Sequence, residues 1–309
     1  MAIVIIRQDG KTEEWKEALS QSAPNTGIYS YLEDHPREEI TMALVWKHPK
    51  GALCNYPNLQ CIASFGAGVD FIFEDTERPK HVPITRVVDP KLTSDMSEFV
   101  IGQILGYLKN FNRYKLDQVK GTWDPLPYRR IEDVTVGIMG VGALGKRLSI
   151  DLNKLNFNVL GFTNSTKRIK GISIFSGEGK RREFLSRTDI LVCLLPLTGK
   201  TTGILNRRLF AELPRGAYII NVARGGHLVD EDLLEMIESG HLSGASLDVF
   251  HSEPLPPGHP FWGHEKIQIT PHVASVSDIP SVTPQILENY EKLQAGLPLL
   301  NPVSLEKGY

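Results

Sequence analysis

Residues 134–145 read VTVGIMGVGALG, and this stretch decides the fold of the chain. Over residues 134–139, apolar residues alternate with small or polar ones, as expected of a short buried strand. Residues 140–145 then form a complete G-x-G-x-x-G, and Leu148 and Leu152 continue a helix-period pattern. Strand, glycine turn and helix are the context in which this motif binds a dinucleotide, so the sequence predicts such a site here.

Each position of the motif has a physical role. Gly140 makes the tight turn, Gly142 lets the main chain approach a pyrophosphate, and Gly145 lets helix and strand pack closely. Ala143 and Leu144 open the helix, whose first N–H groups are free to bind phosphate. A tight turn with no ligand is the alternative interpretation.

Composition sets the class of protein. The chain has 309 residues, 41% apolar and 23% charged, which predicts a soluble protein of about two domains. Its formal net charge of -2 favours neither nucleic acid nor an anionic membrane as a partner. No apolar run is long enough to span a membrane, so a cytoplasmic location is expected.

Cysteine and histidine spacing gives no sign of a metal. Cys54, Cys61 and Cys193 are scattered in apolar surroundings, which predicts three buried thiols of a cytosolic protein. No Cys-x-x-Cys or His-x-x-x-His occurs, so no metal site is predicted.

Strand and helix signals alternate along the whole chain, which predicts an α/β fold with two Rossmann-like or flavodoxin-like domains, parallel sheets and an active-site cleft between the domains. A dinucleotide-binding domain is expected over residues 98–282, and a substrate-binding domain over 1–97 and 283–309. Residues 90–120 carry apolar positions at spacings of three and four, which predicts one long helix. Strands are expected at residues 3–6, 42–46, 60–64, 84–88, 159–162, 190–195, 217–222, 245–250 and 267–270.

Four further segments resemble the D-2-hydroxyacid dehydrogenase family in order, spacing and residue type. They are 195–198 (LPLT), 221–230 (NVARGGHLVD), 247–254 (LDVFHSEP) and 270–274 (TPHVA). The late position of the glycine motif differs from that in L-lactate and malate dehydrogenases, and the Tyr-x-x-x-Lys of short-chain dehydrogenases is absent. The resemblance covers essentially the whole chain and is closest to the bacterial glyoxylate/hydroxypyruvate reductase branch.

Three residues in these segments suit the reduction of a 2-oxo acid. Arg224 follows an apolar strand, and its planar fork can bind a carboxylate and a carbonyl oxygen. His272, also at a strand end, can act as general acid, and Glu253 can hold the imidazole and favour its protonated form. The resemblance implies that these three form the catalytic triad. The alternatives are a surface arginine, a structural histidine and a solvated carboxylate.

The resemblance also implies further cofactor contacts. Asp248 is expected to bond the nicotinamide carboxamide, although a purely structural role is the alternative. The remaining residues lie at other strand ends: Leu195, Pro196, Thr202, Val222 and Ala223.

Substrate contacts are expected from the first domain. The turn containing Gly66, Ala67 and Gly68 can offer main-chain N–H groups to a carboxylate, or it can be a plain tight turn. Trp46 ends a strand, and in the reductase branch a tryptophan at this position lines the substrate pocket. Core packing is the alternative role for Trp46. The long helix and the loop at Trp123 resemble the arm through which the family forms homodimers.

The end of the second dinucleotide-domain strand indicates the choice of cofactor. No Asp or Glu occurs over residues 152–177, although a NAD site usually places one there to bond the ribose hydroxyl. Thr163 is followed instead by polar and basic residues that can donate to a 2′-phosphate: Asn164, Ser165, Thr166, Lys167 and Arg168. NADP is therefore predicted in preference to NAD, with a solvated basic loop as the alternative.

These observations together predict NAD(P)H-dependent reduction of small 2-oxo acids such as glyoxylate and hydroxypyruvate. A broader 2-ketoacid reductase stays open as an alternative. So does a nucleotide-sensing binding protein on the same fold, similar to the corepressors of the family, because such proteins can keep the triad.

Overall fold

A computed structural model of the chain describes residues 1–165 and 167–309. By internal packing the chain divides into two compact units. One comprises Met1–Leu92 together with Val276–Tyr309, and the other is the continuous segment Thr93–Ser275.

The elements are numbered along the chain. The strands are β1 (Ala2–Arg7), β2 (Gly27–Ser30), β3 (Ile40–Trp46), β4 (Cys61–Ser64), β5 (Ile84–Thr85), β6 (Thr135–Met139), β7 (Asn158–Thr163), β8 (Ser173–Ser176), β9 (Ile190–Cys193), β10 (Ala217–Asn221), β11 (Leu242–Leu247) and β12 (Ile267–Ile269). The helices are α1 (Glu13–Ser22), α2 (Asp70–Glu74), α3 (Pro90–Leu108), α4 (Phe111–Lys120), α5 (Ala143–Lys154), α6 (Arg181–Leu185), α7 (Arg207–Phe210), α8 (Asp230–Glu238) and α9 (Ile279–Gln294).

The first unit is built on a parallel sheet of order β2-β1-β3-β4-β5. Successive side chains of a strand point to opposite faces, and Ala2 to Ile6 of β1 are all buried, so both faces of the sheet are covered. One face packs Ile3 and Ile5 against Leu19 of α1 and Val282 of α9. The chain's last long helix therefore completes a core that its first strand begins.

The second unit contains a parallel sheet of order β12-β11-β10-β9-β6-β7-β8. The first strand of this sheet along the chain, β6, lies in the interior of the sheet. Later strands are added on both sides of β6, so the strand order reverses beside it. A separate apolar core covers each face of the sheet. The predicted fold class, α/β with two parallel sheets, is confirmed.

The prediction of one helix over residues 90–120 is wrong, because the chain breaks between α3 and α4. Asn110 adopts a left-handed conformation with φ of 59°, which Asn tolerates better than most residues, and its N–H bonds the Tyr107 carbonyl oxygen. The compact units part at 92/93, inside α3, and at 275/276, before α9, a few residues before the boundaries expected after residues 97 and 282.

The expectation of three buried thiols is wrong for Cys54, which is exposed because it lies on a surface turn, with its Sγ 2.9 Å from the Glu77 carbonyl oxygen. Cys61 and Cys193 are buried. Burial raises the pKa of the Cys61 thiol to about 11 and that of Cys193 to about 12. In the part of the chain that the structure describes, every helix is too short or too polar to cross a bilayer.

Candidate active site

The predicted functional residues of the second unit follow neighbouring strands at one edge of its sheet. Because all pairings are parallel, the carboxyl ends of these strands meet at that edge, where α/β proteins bind ligands. In the order of the sheet, the residues are His272 after β12, Asp248 after β11, Arg224 after β10, Leu195 and Pro196 after β9, Gly140 after β6 and Thr163 at the end of β7.

The glycine loop fits a dinucleotide pyrophosphate. Gly140 has φ of 101°, and a Cβ there would lie 2.5 Å from the Leu194 carbonyl oxygen. A Cβ on Gly145 would collide with the Gly140 carbonyl oxygen. Among the described residues, however, no atom lies within 4 Å of a Cβ placed on Gly142. Packing therefore explains two of the glycines, and the third leaves open the approach that a phosphate needs.

Helix α5 begins directly after this loop. Gly142 is its N-cap and has no side chain to bond the first N–H groups. Within the helix, the first main-chain bond to form is from the Lys146 N–H to the Gly142 carbonyl oxygen. The N–H groups of Ala143, Leu144 and Gly145 have no partner earlier in the helix, so this end of the helix, at the positive end of its dipole, can bind an anion.

The end of β7 lies beside the glycine loop, because the Gly140 N–H donates to the carbonyl oxygen of Phe162. Thr163 is 9% exposed, and its Oγ1 lies 3.4 Å from the N–H of Ser165. Asn164 and Ser165 are exposed, so both can offer polar groups at this strand end.

Two cations follow, and they differ in their contacts. Nζ of Lys167 donates to the Val141 carbonyl oxygen at 2.7 Å, which joins the basic segment to the glycine loop. Arg168 is exposed. Thr166 lies outside the described residues. Lys167 therefore supports the loop as well as carrying a charge toward it.

Arg224 lies in a turn that Asn221 organises from inside the sheet edge. Asn221 is fully buried, donates from Nδ2 to the Arg224 carbonyl oxygen at 3.0 Å, and accepts the Ala223 N–H at 3.2 Å. Nη1 of Arg224 donates to the Ala223 carbonyl oxygen at 2.6 Å. The side-chain amide thus fixes the main chain from which the guanidinium projects.

His272 and Glu253 form a hydrogen-bonded pair. Nδ1 of His272 lies 2.8 Å from Oε2 of Glu253, and the carboxylate's Oε1 accepts the Phe250 N–H at 3.1 Å. The two side chains are 27% and 19% exposed, so their contact is only partly screened by water. This arrangement holds the imidazole ring in one orientation.

Asp248 forms hydrogen bonds to the turn that carries His272. The His272 N–H donates to the Asp248 carbonyl oxygen at 2.8 Å, and Oδ1 of Asp248 accepts the Thr270 hydroxyl at 2.6 Å. The N–H groups of Val273 and Ala274 donate to Oδ1 and Oδ2 at 3.0 and 2.9 Å. His272 has φ of 53°, so these bonds hold a backbone conformation that is costly for a residue with a Cβ. They give the 1% exposed Asp248 a structural role in addition to any cofactor contact.

The turn after β9 is closed by its own threonines. Thr201 donates to the Pro196 carbonyl oxygen at 2.7 Å and accepts the Thr198 N–H at 2.8 Å, whereas the exposed Thr202 donates to the Thr198 carbonyl oxygen. Nearby, Val222 and Ala223 are 5% and 7% exposed. Contacts from Val222 and Ala223 to a ligand would therefore come mainly from the main chain.

The predicted substrate residues of the first unit lie at two adjacent strand ends. Trp46 ends β3, and its ring meets Phe71 edge-on at 5.5 Å. In the turn after β4, the Ser64 hydroxyl donates to the Gly68 carbonyl oxygen at 2.8 Å and accepts the Gly66 N–H at 3.2 Å. One of the N–H groups expected to bind a carboxylate is therefore already bonded within the turn.

Sequence reasoning missed the residues that support these turns. Asn221, His227 and Thr270 all bond the main chain or side chain of a predicted site residue. For Asn221 and Thr270 the signal available was a polar residue at or just after the end of a buried strand, whereas His227 lies beyond β10 in a short helical turn. Among the described residues, no group of three or more His, Cys, Asp or Glu side chains could hold a metal ion.

Comparison with known proteins identifies the family of this chain. Residues 101–274 match the family described as D-isomer specific 2-hydroxyacid dehydrogenase, NAD binding domain. The proteins named glyoxylate/hydroxypyruvate reductase A from Serratia proteamaculans (strain 568) and Yersinia enterocolitica are 39% and 35% identical to this chain over the whole of both sequences.

Solved structures give the same result. A D-isomer specific 2-hydroxyacid dehydrogenase from Xanthobacter autotrophicus Py2, in complex with NADPH and MES, is 35% identical with a TM-score of 0.94, covering 100% of this chain and 99% of that one. An NADPH-dependent glyoxylate/hydroxypyruvate reductase from Sinorhizobium meliloti, in complex with NADP and sulfate, is 36% identical with a TM-score of 0.93 and the same coverage. The chain belongs to the D-isomer specific 2-hydroxyacid dehydrogenase family, which confirms the resemblance noted in its motifs.

Proposed function

We propose that this protein catalyses the NADPH-dependent reduction of small 2-oxo acids, with glyoxylate and hydroxypyruvate as substrates. The observation that carries the proposal is the placement of a glycine loop, an arginine and a His–Glu pair at one edge of one parallel sheet. The names of the full-length relatives and the NADPH and NADP bound in similar structures support both the substrate class and the cofactor.

Arg224 orients the substrate. A guanidinium presents parallel N–H donors that match a carboxylate and an adjacent carbonyl oxygen, and it stays charged throughout the working pH range. Because Asn221 fixes the main chain of Arg224, the side chain starts from a defined position. Trp46 and the turn of Gly66, Ala67 and Gly68 are proposed as further substrate contacts.

His272 supplies the proton. During reduction the carbonyl oxygen gains negative charge, and the imidazolium donates a proton to it from Nε2 while Glu253 retains the Nδ1 hydrogen bond. In the reverse direction the neutral ring accepts that proton. Asp248 and Thr270 hold the turn that carries His272, so the imidazole ring keeps its orientation in both directions of the reaction.

When bound, NADPH would supply the hydride that reduces the substrate carbonyl carbon. The first N–H groups of α5 and the glycine loop would hold its pyrophosphate. Thr163, Asn164, Ser165, Lys167 and Arg168 would hold a 2′-phosphate, and the strand ends at Leu195, Pro196, Thr202, Val222, Ala223 and Asp248 would contact the rest. The dinucleotide domain is proposed to span residues 98–282, and the substrate-binding domain residues 1–97 and 283–309.

We also propose a homodimer formed through α4 and the loop after it. This part of the second unit exposes apolar side chains: Phe111 is 61% exposed, Val119 85% and Trp123 97%. Such a patch on one helix and its loop suits a second copy of the same surface. Mass measurement by light scattering tests the state, and Val119→Glu with Trp123→Glu is expected to give a monomer. A cytoplasmic location stays an expectation from the sequence.

A panel of 2-oxo acids with NADPH tests the activity. Glyoxylate and hydroxypyruvate are expected to give the highest kcat/KM, measured as loss of NADPH absorbance, and bulkier 2-oxo acids lower values. Equal rates over the panel would favour the broader 2-ketoacid reductase. Tight NADPH binding without turnover on any acid would favour the nucleotide-sensing binding protein.

A further inference from the structure

His227 is a fully buried histidine that lies between two turns of the candidate active site. Its Nδ1 is 3.1 Å from the main-chain oxygen of Arg224, and its Nε2 is 3.3 Å from the main-chain oxygen of Pro196. Arg224 follows β10 and Pro196 follows β9, and these strands are neighbours in the sheet. One imidazole therefore spans the turn proposed to hold the substrate and the turn proposed to contact the cofactor. Both oxygens are acceptors and a neutral ring carries one N–H, so each tautomer donates to one turn and packs against the other.

The main chain around His227 reinforces this bridge. The Leu205 N–H donates to the His227 carbonyl oxygen at 2.8 Å, and the Gly203 N–H donates to the Gly226 carbonyl oxygen at 2.9 Å. The segment after Pro196 is thereby joined to the segment after Arg224 along its length.

We propose that His227 is a positioning residue that supports both the cofactor turn at Pro196 and the main chain of the substrate-binding Arg224, each through its own contact. This inference rests on the proposed function, since it takes Arg224 as the substrate's carboxylate partner. A guanidinium that binds two oxygens at once is sensitive to small displacements of its main chain, because misplacement of a reacting group by about 1 Å can cost about a hundredfold in rate. A ring that merely fills the core would have no such effect.

The two contacts can be separated by substitution. In His227→Asn the amide nitrogen can occupy the position of Nδ1 and donate to Arg224, whereas the contact with Pro196 is lost. In His227→Gln the amide nitrogen can reach the position of Nε2 and donate to Pro196, whereas the contact with Arg224 is lost. His227→Leu removes the ring nitrogens while keeping an apolar side chain of comparable size.

Two binding constants are measured for each variant. They are the Kd of NADPH, from its fluorescence on titration, and the Kd of oxamate, an unreactive 2-oxo acid analogue, from the NADPH-loaded protein. His227→Asn is expected to weaken NADPH about two- to tenfold with oxamate little changed, and His227→Gln to weaken oxamate by a similar factor with NADPH little changed, as the net worth of one hydrogen bond implies. His227→Leu is expected to weaken both.

A double-mutant cycle with Arg224→Gln checks that His227 acts on oxamate through Arg224. In that background His227→Gln should cause no further loss of oxamate binding, because the guanidinium that it positions is already gone. Additive losses, or Asn and Gln variants that change both constants equally or neither, would overturn the proposal. If wild-type protein binds NADPH but turns over no 2-oxo acid, the proposed function fails, and the NADPH titrations still decide whether the Pro196 contact acts.

Discussion

Oε2 of Glu253 lies 2.8 Å from Nδ1 of His272, while the second carboxylate oxygen is held by the Phe250 N–H. The carboxylate is thus fixed at one oxygen and engages the imidazole with the other. This assigns Nδ1 to orientation and Nε2 to proton transfer in the proposed reaction. The first two predictions test these two assignments.

Replacing the general acid should remove most of the turnover without removing the cofactor. A positioned general acid is typically worth about 10²–10⁴ in rate, so His272→Gln is expected to lower kcat by about 10² or more. The Kd of NADPH, from fluorescence titration, should stay within about twofold, the loss of at most one weak hydrogen bond. Near-normal kcat in the variant would exclude His272 as the acid.

Loss of the Glu253 carboxylate should lower the rate of reduction. Oε2 of Glu253 holds Nδ1 of His272, so the carboxylate fixes the direction in which Nε2 delivers its proton. In Glu253→Gln this contact is weakened, and kcat for reduction is expected to fall by about tenfold or more, since misplacement of a reacting group by about 1 Å can cost about a hundredfold. Glu238→Gln, a change on helix α8, is the control. Unchanged kcat in Glu253→Gln, with the protein folded, would remove Glu253 from the triad.

Alanine substitutions at Gly142 and Gly145 of the dinucleotide loop should have different effects on stability and on NADPH affinity. A Cβ fits at Gly142 without meeting any described atom, so Gly142→Ala is expected to keep the thermal midpoint and weaken NADPH by about tenfold or more. At Gly145 a Cβ collides with the Gly140 carbonyl oxygen, so Gly145→Ala should lower the thermal midpoint itself. Calorimetry and NADPH titration separate the outcomes, and a Gly142→Ala protein with unchanged affinity would contradict a pyrophosphate at this loop.

The basic segment after β7 should set the cofactor preference, through unequal contributions of its two cations. We expect kcat/KM to favour NADPH over NADH by at least about tenfold, because a charge-assisted bond to phosphate is worth about 1.5–3 kcal/mol before screening. Arg168→Ala should weaken NADPH alone. Lys167→Ala should weaken both cofactors, since Lys167 also bonds the glycine loop at Val141.

Lys170→Ala supplies the control for this pair, because Lys170 is an exposed cation close by in the sequence. Thr163→Asp is expected to reverse the preference, since a carboxylate repels the 2′-phosphate and accepts from the ribose hydroxyl. Equal use of NADPH and NADH by wild type at low salt would show that this segment does not read the phosphate.

A buried histidine in the first unit should make folding stability depend on pH. Nε2 of His48 lies 3.1 Å from Oδ2 of Asp75, and burial lowers the pKa of His48 below 6.5 although Asp75 opposes that shift. Below about pH 6.5 the unfolded chain binds a proton that the folded chain does not, so the free energy of unfolding falls as the pH decreases through that range.

His48→Gln tests this linkage, because its amide can still donate to Asp75 but cannot take up a proton. Between about pH 7.5 and about pH 5.5, the thermal midpoint of wild type should fall further than that of the variant. Parallel curves for the two proteins would show that His48 does not titrate differently in the folded state.

The sequence was sufficient where one local pattern decides the structure. The strand and glycine motif at 134–145 and the segments at Arg224 and His272 identified the sheet edge and the family. The sequence was insufficient where contacts with neighbouring segments decide the structure. The short edge strand β8 pairs with β7 and has no strong alternation of its own, and Asn110 breaks a helix whose apolar spacing continues through it.

The supporting residues of the site were also beyond sequence reasoning. Asn221 and His227 contact carbonyl oxygens of the main chain, which no sequence pattern identifies as partners. The contact of His227 with Pro196 becomes apparent only when the neighbouring strands β9 and β10 are aligned. The role of Asp248 illustrates the same limit. The residue type of Asp248 suggested a cofactor contact. Its hydrogen bonds to the turn of His272 depend on the left-handed conformation of His272, which no spacing pattern in the sequence indicates.

The way the first unit is assembled from two separate chain segments has a consequence for synthesis on the ribosome. Residues 93–275 are continuous and can fold as soon as they have emerged, whereas the sheet made by residues 1–92 lacks the helix α9 that covers Ile3 and Ile5. That apolar face has to wait while some 180 residues are translated, which at about 5–20 residues per second amounts to roughly ten seconds or more. During this interval the nascent first unit is a natural client for chaperones that shield apolar surface.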